Sequence, residues 1–286
     1  MTRFATLLLA AFLCTGIGPA LAQTCTPKLD HPPLARKGWL LAAINPTVPP
    51  IQYIDDNGNI VGLDVDLGNA IAKQLCLKMQ FQSTMFATMI PLLKEGRIDM
   101  IDTFMWYSPQ RAAQVMMIPY GASTLAIVVQ RGNTDKIDGL DYFSGKSFGA
   151  ELGTVDAEDV VKASAALQKA GKRPINLHTF ANYAAVLQAL SAGQVDGGFI
   201  NTEQAYWYQK KTNQFRIALT GFDPHAEALA FKQPGVADAV AKVLNEMHTD
   251  GSLQKIFEPY GHCLLPPPYK VTTGPIPAPD CRQQLQ

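Results

Sequence analysis

Arg111 is the residue whose type and position most clearly indicate chemistry. It is the only positively charged residue between positions 98 and 130. Ser108 is typical of a helix N-cap and Pro109 of a first helical residue, so we expect Arg111 in the first turn of a helix. A helix N-terminus favours anions, and a carboxylate matches the two-pronged guanidinium group. The motif indicates a carboxylate-binding site; the alternative is a surface arginine with an incidental acid partner.

A second pattern indicates an internal duplication. The motif Leu-x-x-Gly-x-(Ile/Val)-Asp occurs at Leu93–Asp99 and again at Leu190–Asp196. Glycine favours the left-handed residue that ends a helix before an apolar strand. Alternating helix and strand patterns surround both copies, which is typical of a sheet covered by helices. The sequence therefore predicts two similar α/β lobes.

The predicted elements follow local signals. The turn sequence Asn57-Gly58 predicts a hairpin, and Asp64 is predicted to cap the next helix. Apolar spacing and turn residues predict the rest. In the first half they are a helix after Asp64, a strand at 78–81, a helix at 87–95 and a strand at 98–106. In the second half they are a strand at 147–151, a helix from 154 to about 171, a strand at 176–179, a helix at 182–192 and a strand at 195–200.

These elements predict a fold and its division into domains. The fold class is α/β, with two similar lobes of mixed, mainly parallel sheets joined by a two-strand hinge. The chain is expected to cross between the lobes near residues 121–125 and 221–227. Lobe 1 is then residues 23–123 and 224–286, and lobe 2 is residues 124–223. Two lobes joined by two strands can close on a small molecule by bending at the hinge.

The N-terminus has the pattern of a secretory signal. Arg3 is followed by an apolar run from Phe4 to Leu13 and by Ala20-Leu21-Ala22, a small-residue cleavage site. We expect a signal peptide at residues 1–22, cleavage before Gln23 and an exported product in the periplasm. The chain has 24 basic and 24 acidic residues, a balance that does not indicate nucleic acid or an anionic membrane as a partner.

The cysteines predict disulfides. Cys25, Cys76, Cys263 and Cys281 follow the signal sequence, and an even number in an exported protein is typical of disulfide bonds. Four cysteines allow three pairings. We favour 25–76, because both residues precede predicted strands, and 263–281, which would tie down a proline-rich tail. No cysteine or histidine pair has the spacing of metal ligands, so no metal or cofactor is predicted.

Short motifs occur in a fixed order between about residues 38 and 260. They are Pro49-Pro50-Ile51-Gln52-Tyr53, Gly62-Leu63-Asp64-Val65-Asp66-Leu67, Ala70-Ile71-Ala72, Phe86 with Ile90-Pro91, Gly96-Arg97-Ile98-Asp99, Arg111, Pro119-Tyr120, Gly153-Thr154 and Asp250-Gly251-Ser252-Leu253. This ordered set resembles the bacterial extracellular solute-binding proteins of family 3, the periplasmic amino-acid receptors of ATP-driven importers. The resemblance implies the periplasmic binding protein type II fold, with the ligand between two α/β lobes.

The resemblance also implies ligand contacts. Arg111 matches the arginine that holds the ligand α-carboxylate, and Phe86 matches an aromatic residue that covers the ligand, with core filling as the alternative. Asn45 lies in the loop after the first strand, where a polar contact is common. Thr154 matches a helix start in the second lobe that meets the carboxylate; plain N-capping is its alternative role, and both roles are compatible.

Four positions depart from the family pattern. Asn201 replaces the aspartate that pairs with the ligand ammonium and brings no charge; its alternative role is a helix N-cap. Phe104 and Trp106 stand where small hydroxyl residues are common, and their alternative is sheet core on one strand face. Glu151 ends a strand at a position that faces the ligand. Either an acid there supplies the charge that Asn201 lacks, or the ligand has no free α-amine.

The leading functional hypothesis is a non-enzymatic, monomeric periplasmic receptor. It would capture a small carboxylate, such as an amino acid or a related molecule, and deliver it to an ABC-type permease in the membrane. The alternative is an enzyme on the same scaffold, because cyclohexadienyl dehydratases resemble these receptors. Glu151 or Asp102 would then serve as the general acid. A third hypothesis, a sensor module, is disfavoured because no transmembrane segment is predicted after the signal.

Overall fold

The structure, a computed structural model, describes Cys25, Leu29 and residues 34–278. The predicted signal peptide at residues 1–22 and the predicted disulfide partner Cys281 lie outside the described residues. In the described part, none of the helices combines the length and the apolar character that a membrane span requires.

The elements up to the first crossing are short strands and helices followed by one long strand. A 3₁₀ turn at Phe86–Thr88 precedes the second helix, and the hairpin predicted at Asn57-Gly58 is present. In chain order the elements are β1 (Trp39–Ile44), β2 (Thr47–Val48), β3 (Gln52–Ile54), β4 (Ile60–Val61), α1 (Leu63–Gln74), β5 (Lys78–Ser83), α2 (Met89–Glu95), β6 (Met100–Ile101), α3 (Pro109–Ala112) and β7 (Met116–Gln130).

The second part repeats this alternation and then returns through another long strand. Two further 3₁₀ turns lie at Leu140–Phe143 and Glu258–Tyr260. The other elements are β8 (Ser147–Glu151), α4 (Val155–Lys169), β9 (Asn176–Phe180), α5 (Tyr183–Ser191), β10 (Gly197–Asn201), α6 (Thr202–Lys211), β11 (Phe215–Phe231), α7 (Pro234–Thr249), α8 (Ser252–Phe257) and β12 (Cys263–Leu264).

The long strands β7 and β11 pair with each other and join two half-sheets. On one side the strand order continues as β11–β6–β1–β5, and on the other as β7–β10–β8–β9. In each half the outer three strands are parallel, and the long strand runs antiparallel to its neighbour. The fold is therefore α/β with two lobes of mixed, mainly parallel sheets, which confirms the predicted fold class.

The lobes are connected where β7 and β11 pass from one half-sheet to the other. In this region Ser123 pairs with His225, and Leu125 pairs with Phe222. The register shifts between these two pairs, and an extra residue in one strand bends it and weakens its pairing locally. The crossing thus lies within an irregular stretch of the β7–β11 ladder, which has further shifts between Ile217 and Phe222 and between Glu227 and Ala228. The boundaries given above for the two lobes stay a prediction.

The duplicated motif has the same structural role in both lobes. Its glycine follows α2 or α5 in the left-handed conformation, at φ values of 74° and 73°. Its aspartate accepts a backbone hydrogen bond from an inner strand of its lobe. The N–H of Leu41 donates to Asp99 at 2.8 Å, and the N–H of Ser147 donates to Asp196 at 2.7 Å. The motif therefore ends one helix and holds the following chain against the sheet.

The predicted cap at Asp64 is wrong. Helix α1 begins at Leu63 after Gly62, with no side-chain cap. At Gly62 the chain passes close to the carbonyl oxygen of Ile51, and a β-carbon there would lie 2.3 Å from that oxygen. Only glycine fits this close approach. Asp64 instead lies inside the helix, is fully buried and accepts a hydrogen bond from the Tyr120 hydroxyl at 3.1 Å.

One predicted disulfide is confirmed, and the other falls partly outside the described residues. Cys25 is bonded to Cys76, and this bond attaches the segment before β1 to the turn after α1. Cys263 is also a disulfide cysteine. Its predicted partner, Cys281, lies beyond the described part of the chain.

We predict that the double variant Cys25→Ser/Cys76→Ser is less stable than the wild type by about 4 kcal/mol, because the bond closes a long loop in the unfolded chain. The two cysteines are 51 positions apart. Urea unfolding followed by circular dichroism measures the difference. The two single variants are the control and should match the double variant; an unchanged unfolding midpoint would contradict the prediction.

Candidate ligand-binding site

One cavity between the lobes is lined by all eight residues that the sequence singled out. They come from both lobes, together with polar residues that the sequence did not single out. The cavity encloses about 20 Å³, room for about one water molecule, so a larger ligand requires the lobes to move apart. The lining residues are Asn45, Val48, Gln52, Phe86, Thr103, Phe104, Trp106, Arg111, Glu151, Thr154, Val155, Asp156, Tyr183 and Asn201.

Arg111 is buried at this cavity, which rules out the alternative of a surface arginine. Its backbone N–H donates to the Ser108 hydroxyl at 3.2 Å, so Ser108 is the N-cap of α3, as predicted. The guanidinium group donates to the Trp106 carbonyl at 2.7 Å and to the Gly153 carbonyl of the other lobe at 3.0 Å. It also lies 5.2 Å from the centre of the Phe86 ring. Arg111 thus joins the two walls of the cavity.

Phe86 packs in the apolar core and also lines the cavity; its contact with a ligand stays a prediction. It packs against the apolar cluster that contains Met89 and Leu93 of α2, and it also lines the cavity beneath Arg111. An aromatic face attracts a guanidinium group through its quadrupole. Core packing therefore fixes the ring in the place where it supports the arginine.

Phe104 and Trp106 reach the cavity by a route that the sequence did not predict. The predicted strand at 98–106 is wrong in length, because β6 contains only Met100–Ile101. Phe104 has a φ of 57°, which is uncommon for a residue with a side chain and ends regular strand geometry. The ring of Trp106 stacks on His225 at 4.4 Å. Both aromatic residues therefore belong to a bent loop and not to a regular strand, and both are also buried in the main apolar core, as the alternative of core filling predicted.

The second-lobe wall begins at the end of β8. Thr154 caps α4, accepting from the Ala157 N–H at 3.4 Å, and its hydroxyl donates to the Glu151 carbonyl at 2.6 Å. The Glu151 carboxyl group accepts from the Asn45 amide at 2.8 Å, a second contact between the two walls. Burial raises the pKa of Glu151 well above its usual value, and the nearby Asp156 raises it further.

Asp156 is a buried acid that sequence reasoning missed. It is 1% exposed, lines the cavity and accepts from the Tyr183 hydroxyl at 3.3 Å. Burial raises its pKa to about 6, against hydrogen bonds that lower it. An acidic residue in the first turn of a helix is ordinarily explained by the helix dipole, so the sequence held no separate signal for it.

Asn201 does not fill the alternative role of helix cap. It precedes α6, but its side chain makes no capping hydrogen bond. It is 1% exposed, and neither atom of its amide group has a hydrogen-bond partner within the described structure. A buried amide without partners is destabilising by a few kcal/mol. Because Asn201 lines the cavity, the unsatisfied amide is positioned to contact a ligand.

The charges in the cavity suit a molecule with a negative and a positive group. Among the described lining residues, Arg111 supplies the only side chain that is always cationic, while Glu151 and Asp156 are carboxylic acids. Burial lowers the pKa of Arg111, and Asp156 raises it. Attraction between such groups and a ligand is strong, because buried charges are weakly screened.

Two α/β lobes with a polar cleft between them define a class of proteins that bind a small molecule between their domains. The family model of the bacterial extracellular solute-binding proteins, family 3, matches residues 40–262. The chain therefore belongs to this family, and the resemblance noted in the sequence is confirmed.

Individual relatives agree with this assignment. The L-cystine-binding protein TcyJ of Escherichia coli (strain K12) is 27% identical over 232 residues, covering 78% of this chain and 82% of its own. An ancestral arginine-binding protein bound to arginine has a TM-score of 0.71 and 32% identity, covering 78% of this chain and 98% of its own. The ancestral amino acid-binding protein AncCDT-1, a precursor of cyclohexadienyl dehydratase, has a TM-score of 0.68 and 27% identity. The match covers 78% of this chain and 95% of that protein.

We predict that Asp156→Asn makes the protein less sensitive to pH. The pKa of Asp156 in the folded state, about 6, exceeds its ordinary value of 3.8. Its contribution to stability is therefore present below pH 3.8 and lost as the pH rises through 6, on the order of 3 kcal/mol in total. Melting temperatures of the wild type and of Asp156→Asn between pH 5 and 8 measure this loss of stability. The wild type should lose more stability over this range than the variant. Equal slopes would contradict the prediction.

Proposed function

We propose that this protein is a periplasmic receptor that captures an amino acid, or a related small carboxylate, and delivers it to an ABC-type permease. The observation that carries the proposal is the buried guanidinium of Arg111 at the cavity between the lobes. Family membership and the amino-acid-binding relatives support the class of ligand. The polar lining supports a ligand with charged groups at both ends.

In the proposed complex, the ligand carboxylate binds Arg111 through two parallel hydrogen bonds. The guanidinium now donates to two backbone carbonyls, and a carboxylate is a stronger acceptor than a carbonyl. The hydroxyl of Thr154 and the N-terminus of α4 lie on the facing wall and complete the anion site. Glu151 takes the ligand ammonium, since Asn201 has no charge.

Closure is proposed to occur by bending where β7 and β11 cross. The lobes then correspond to residues 23–123 with 224–286, and to residues 124–223. Export by the predicted signal peptide would bring the receptor to the periplasm, where it would act as a monomer, without a cofactor and without catalysis. The Asn45–Glu151 and Arg111–Gly153 hydrogen bonds join the walls in the closed arrangement, and a ligand would replace them.

The test is a thermal-shift screen of purified protein with the twenty common amino acids, L-cystine and simple dicarboxylates. A ligand that binds only the folded state raises its melting temperature in proportion to the logarithm of its concentration. We expect at least one amino acid or amino-acid derivative to do so at micromolar concentration. A screen with no shift at millimolar concentration would contradict the proposal.

We predict that Arg111→Ala weakens binding of the best ligand in this screen by more than a hundredfold. Loss of a charge-assisted, two-pronged contact in a closed cleft is worth about 3 kcal/mol or more. Arg111→Lys should also bind poorly, because lysine keeps the charge but not the planar fork. Calorimetric titration measures the affinities.

The matched control is Arg97→Ala, which removes an exposed arginine in the same lobe. It should bind as the wild type does. Binding by Arg111→Ala within a few-fold of the wild type would show that Arg111 does not hold the ligand carboxylate.

We further predict that Glu151, and not Asn201, sets the preference for a free α-amine. Glu151→Gln leaves a ligand ammonium without a counter-ion, and an uncompensated buried charge is worth several kcal/mol. This variant should lose more affinity for α-amino acids than for their N-acetyl derivatives. Adding Asn201→Asp to it should restore part of the affinity for α-amino acids. Calorimetry on both ligand series measures the difference. Unchanged selectivity in Glu151→Gln would contradict the prediction.

A second candidate function is dehydration on the same site. Burial raises the pKa of Glu151 well above its usual value, which favours the protonated form that a general acid requires. The likeness to a precursor of a dehydratase supports testing this candidate. Turnover of prephenate or arogenate that Glu151→Gln abolishes would replace the receptor proposal with an enzyme.

A further inference from the structure

A group of buried ionisable side chains at the crossing between the lobes is separate from the described cavity lining. The Nε2 atom of His262 lies 2.7 Å from Oε2 of Glu227, and its Nδ1 atom lies 3.4 Å from Oε1 of Glu203. The hydroxyl of Ser123 donates to the other oxygen of Glu203 at 2.6 Å. We call His262, Glu203 and Glu227 the crossing triad. All three are at most 9% exposed.

The crossing triad joins parts of the chain that belong to different lobes. Glu203 is in the first turn of α6, which follows β10 in the second lobe. Glu227 is on β11, paired with Gly121 of β7, and His262 comes directly before β12 in the first lobe. A β-carbon at Gly121 would lie 2.9 Å from Oε2 of Glu227 and 3.3 Å from Nε2 of His262. The triad therefore packs closely against residue 121, where a side chain would force the Glu227 carboxylate to shift.

The imidazole of His262 is surrounded by acids. Burial alone lowers its pKa, but Glu227 and Glu203 raise it to about 10. Burial raises the pKa of Glu227 to about 7, although His262 lowers it. Asp64 of α1 also faces the group, and its pKa is likewise about 7 through burial and Glu227. In the His262–Glu227 pair each charge thus favours the other: the carboxylate favours the protonated imidazole, and the imidazolium favours the ionised carboxylate.

Each member of the crossing triad is also connected to a wall of the cavity. The ring of Phe104 lies 5.5 Å from that of His262. The backbone of Trp106 forms a β-bridge with Glu227. In the other lobe, Glu203 comes two positions after Asn201. A displacement of the triad residues would therefore be passed to both cavity walls through the ring contact, the β-bridge and the short chain segment just described.

We propose that His262 is a positioning residue whose imidazolium group joins Glu203 of the second lobe to Glu227 of the first, and so sets the ligand affinity of the cavity without touching the ligand. When the lobes rotate apart, Glu203 moves away from His262. A buried charge that loses its partner is strongly unfavourable, so the contact favours the closed arrangement. The part of the proposal that concerns affinity rests on the proposed receptor function.

The first test compares ligand affinity in Glu203→Gln, His262→Gln and the double variant. Each single variant should bind the best amino acid of the screen, by calorimetry at pH 7.5, about tenfold more weakly than the wild type. The double variant should bind no more weakly than the weaker of the two single variants, because both substitutions remove the same contact between His262 and Glu203. The matched control is His178→Gln, an exposed histidine, which should bind as the wild type does. Binding by both single variants within twofold of the wild type would overturn the proposal.

The second test needs no ligand, so it separates this proposal from the receptor function. Nuclear magnetic resonance of ¹⁵N-histidine in the unsubstituted protein should show that the His262 imidazole is still protonated at pH 8.5. If this imidazole loses its proton below pH 7.5, the proposal is overturned. This measurement does not depend on whether the variants fold. Small-angle X-ray scattering without ligand should give a larger radius of gyration for Glu203→Gln than for the wild type. An unchanged radius would also overturn it. If these two results hold and no amino acid binds, only the receptor proposal fails.

Discussion

The antiparallel pairing of β7 with β11 is the constraint on which the other features of the structure depend. These two strands are the inner members of both half-sheets, so neither lobe can be complete without them. Their hydrogen bonds hold residues 121–125 beside residues 222–227, and Trp106 of the cavity lining forms a β-bridge with Glu227 of this region. The register of this ladder shifts four times between Ile217 and Ala228, and a shifted register bends a strand and weakens its pairing locally. The lobes are therefore joined by an irregular stretch of the ladder.

Polar contacts in a site between two lobes are stronger when the lobes are closed around it. The hydrogen bonds from Arg111 to Gly153 and from Asn45 to Glu151 each join one wall to the other, and they lie where water is largely excluded. Electrostatic attraction is stronger in such surroundings than in water. The same surroundings raise the pKa values of Glu151 and Asp156, so an unpartnered acid tends to hold a proton. A cationic group on a ligand would favour the ionised form of these acids.

The two lobes share their framework and differ where they meet the cavity. In both, a helix ends before a glycine, and an aspartate holds the chain that follows against an inner strand. Beyond that aspartate, the first lobe continues into the bent loop with Phe104 and Trp106, while the second continues directly through β10 to Asn201. The duplicated part therefore supplies the scaffold, and the parts that are not duplicated supply the two unlike walls of the site.

The sequence by itself determined the features that depend on neighbouring residues. Ser108 and Thr154 cap their helices as predicted, because a cap needs only a side-chain oxygen and an N–H three positions away. The duplicated motif indicated two lobes for the same reason. The resemblance to the family indicated the eight residues that line the cavity, although the sequence did not show how Phe104 and Trp106 would reach it.

Only the tertiary structure decided the features that depend on distant contacts. The left-handed conformation of Phe104 turns the chain away from the strand that alternation predicts, and the surrounding packing must hold it there. Asp156 and the triad of His262, Glu203 and Glu227 carry no local signal. Burial raises the pKa values of Asp156 and Glu227, and the two glutamates raise the pKa of His262. A sequence pattern reports the residues within a few positions, whereas these ionisable groups respond to everything packed around them.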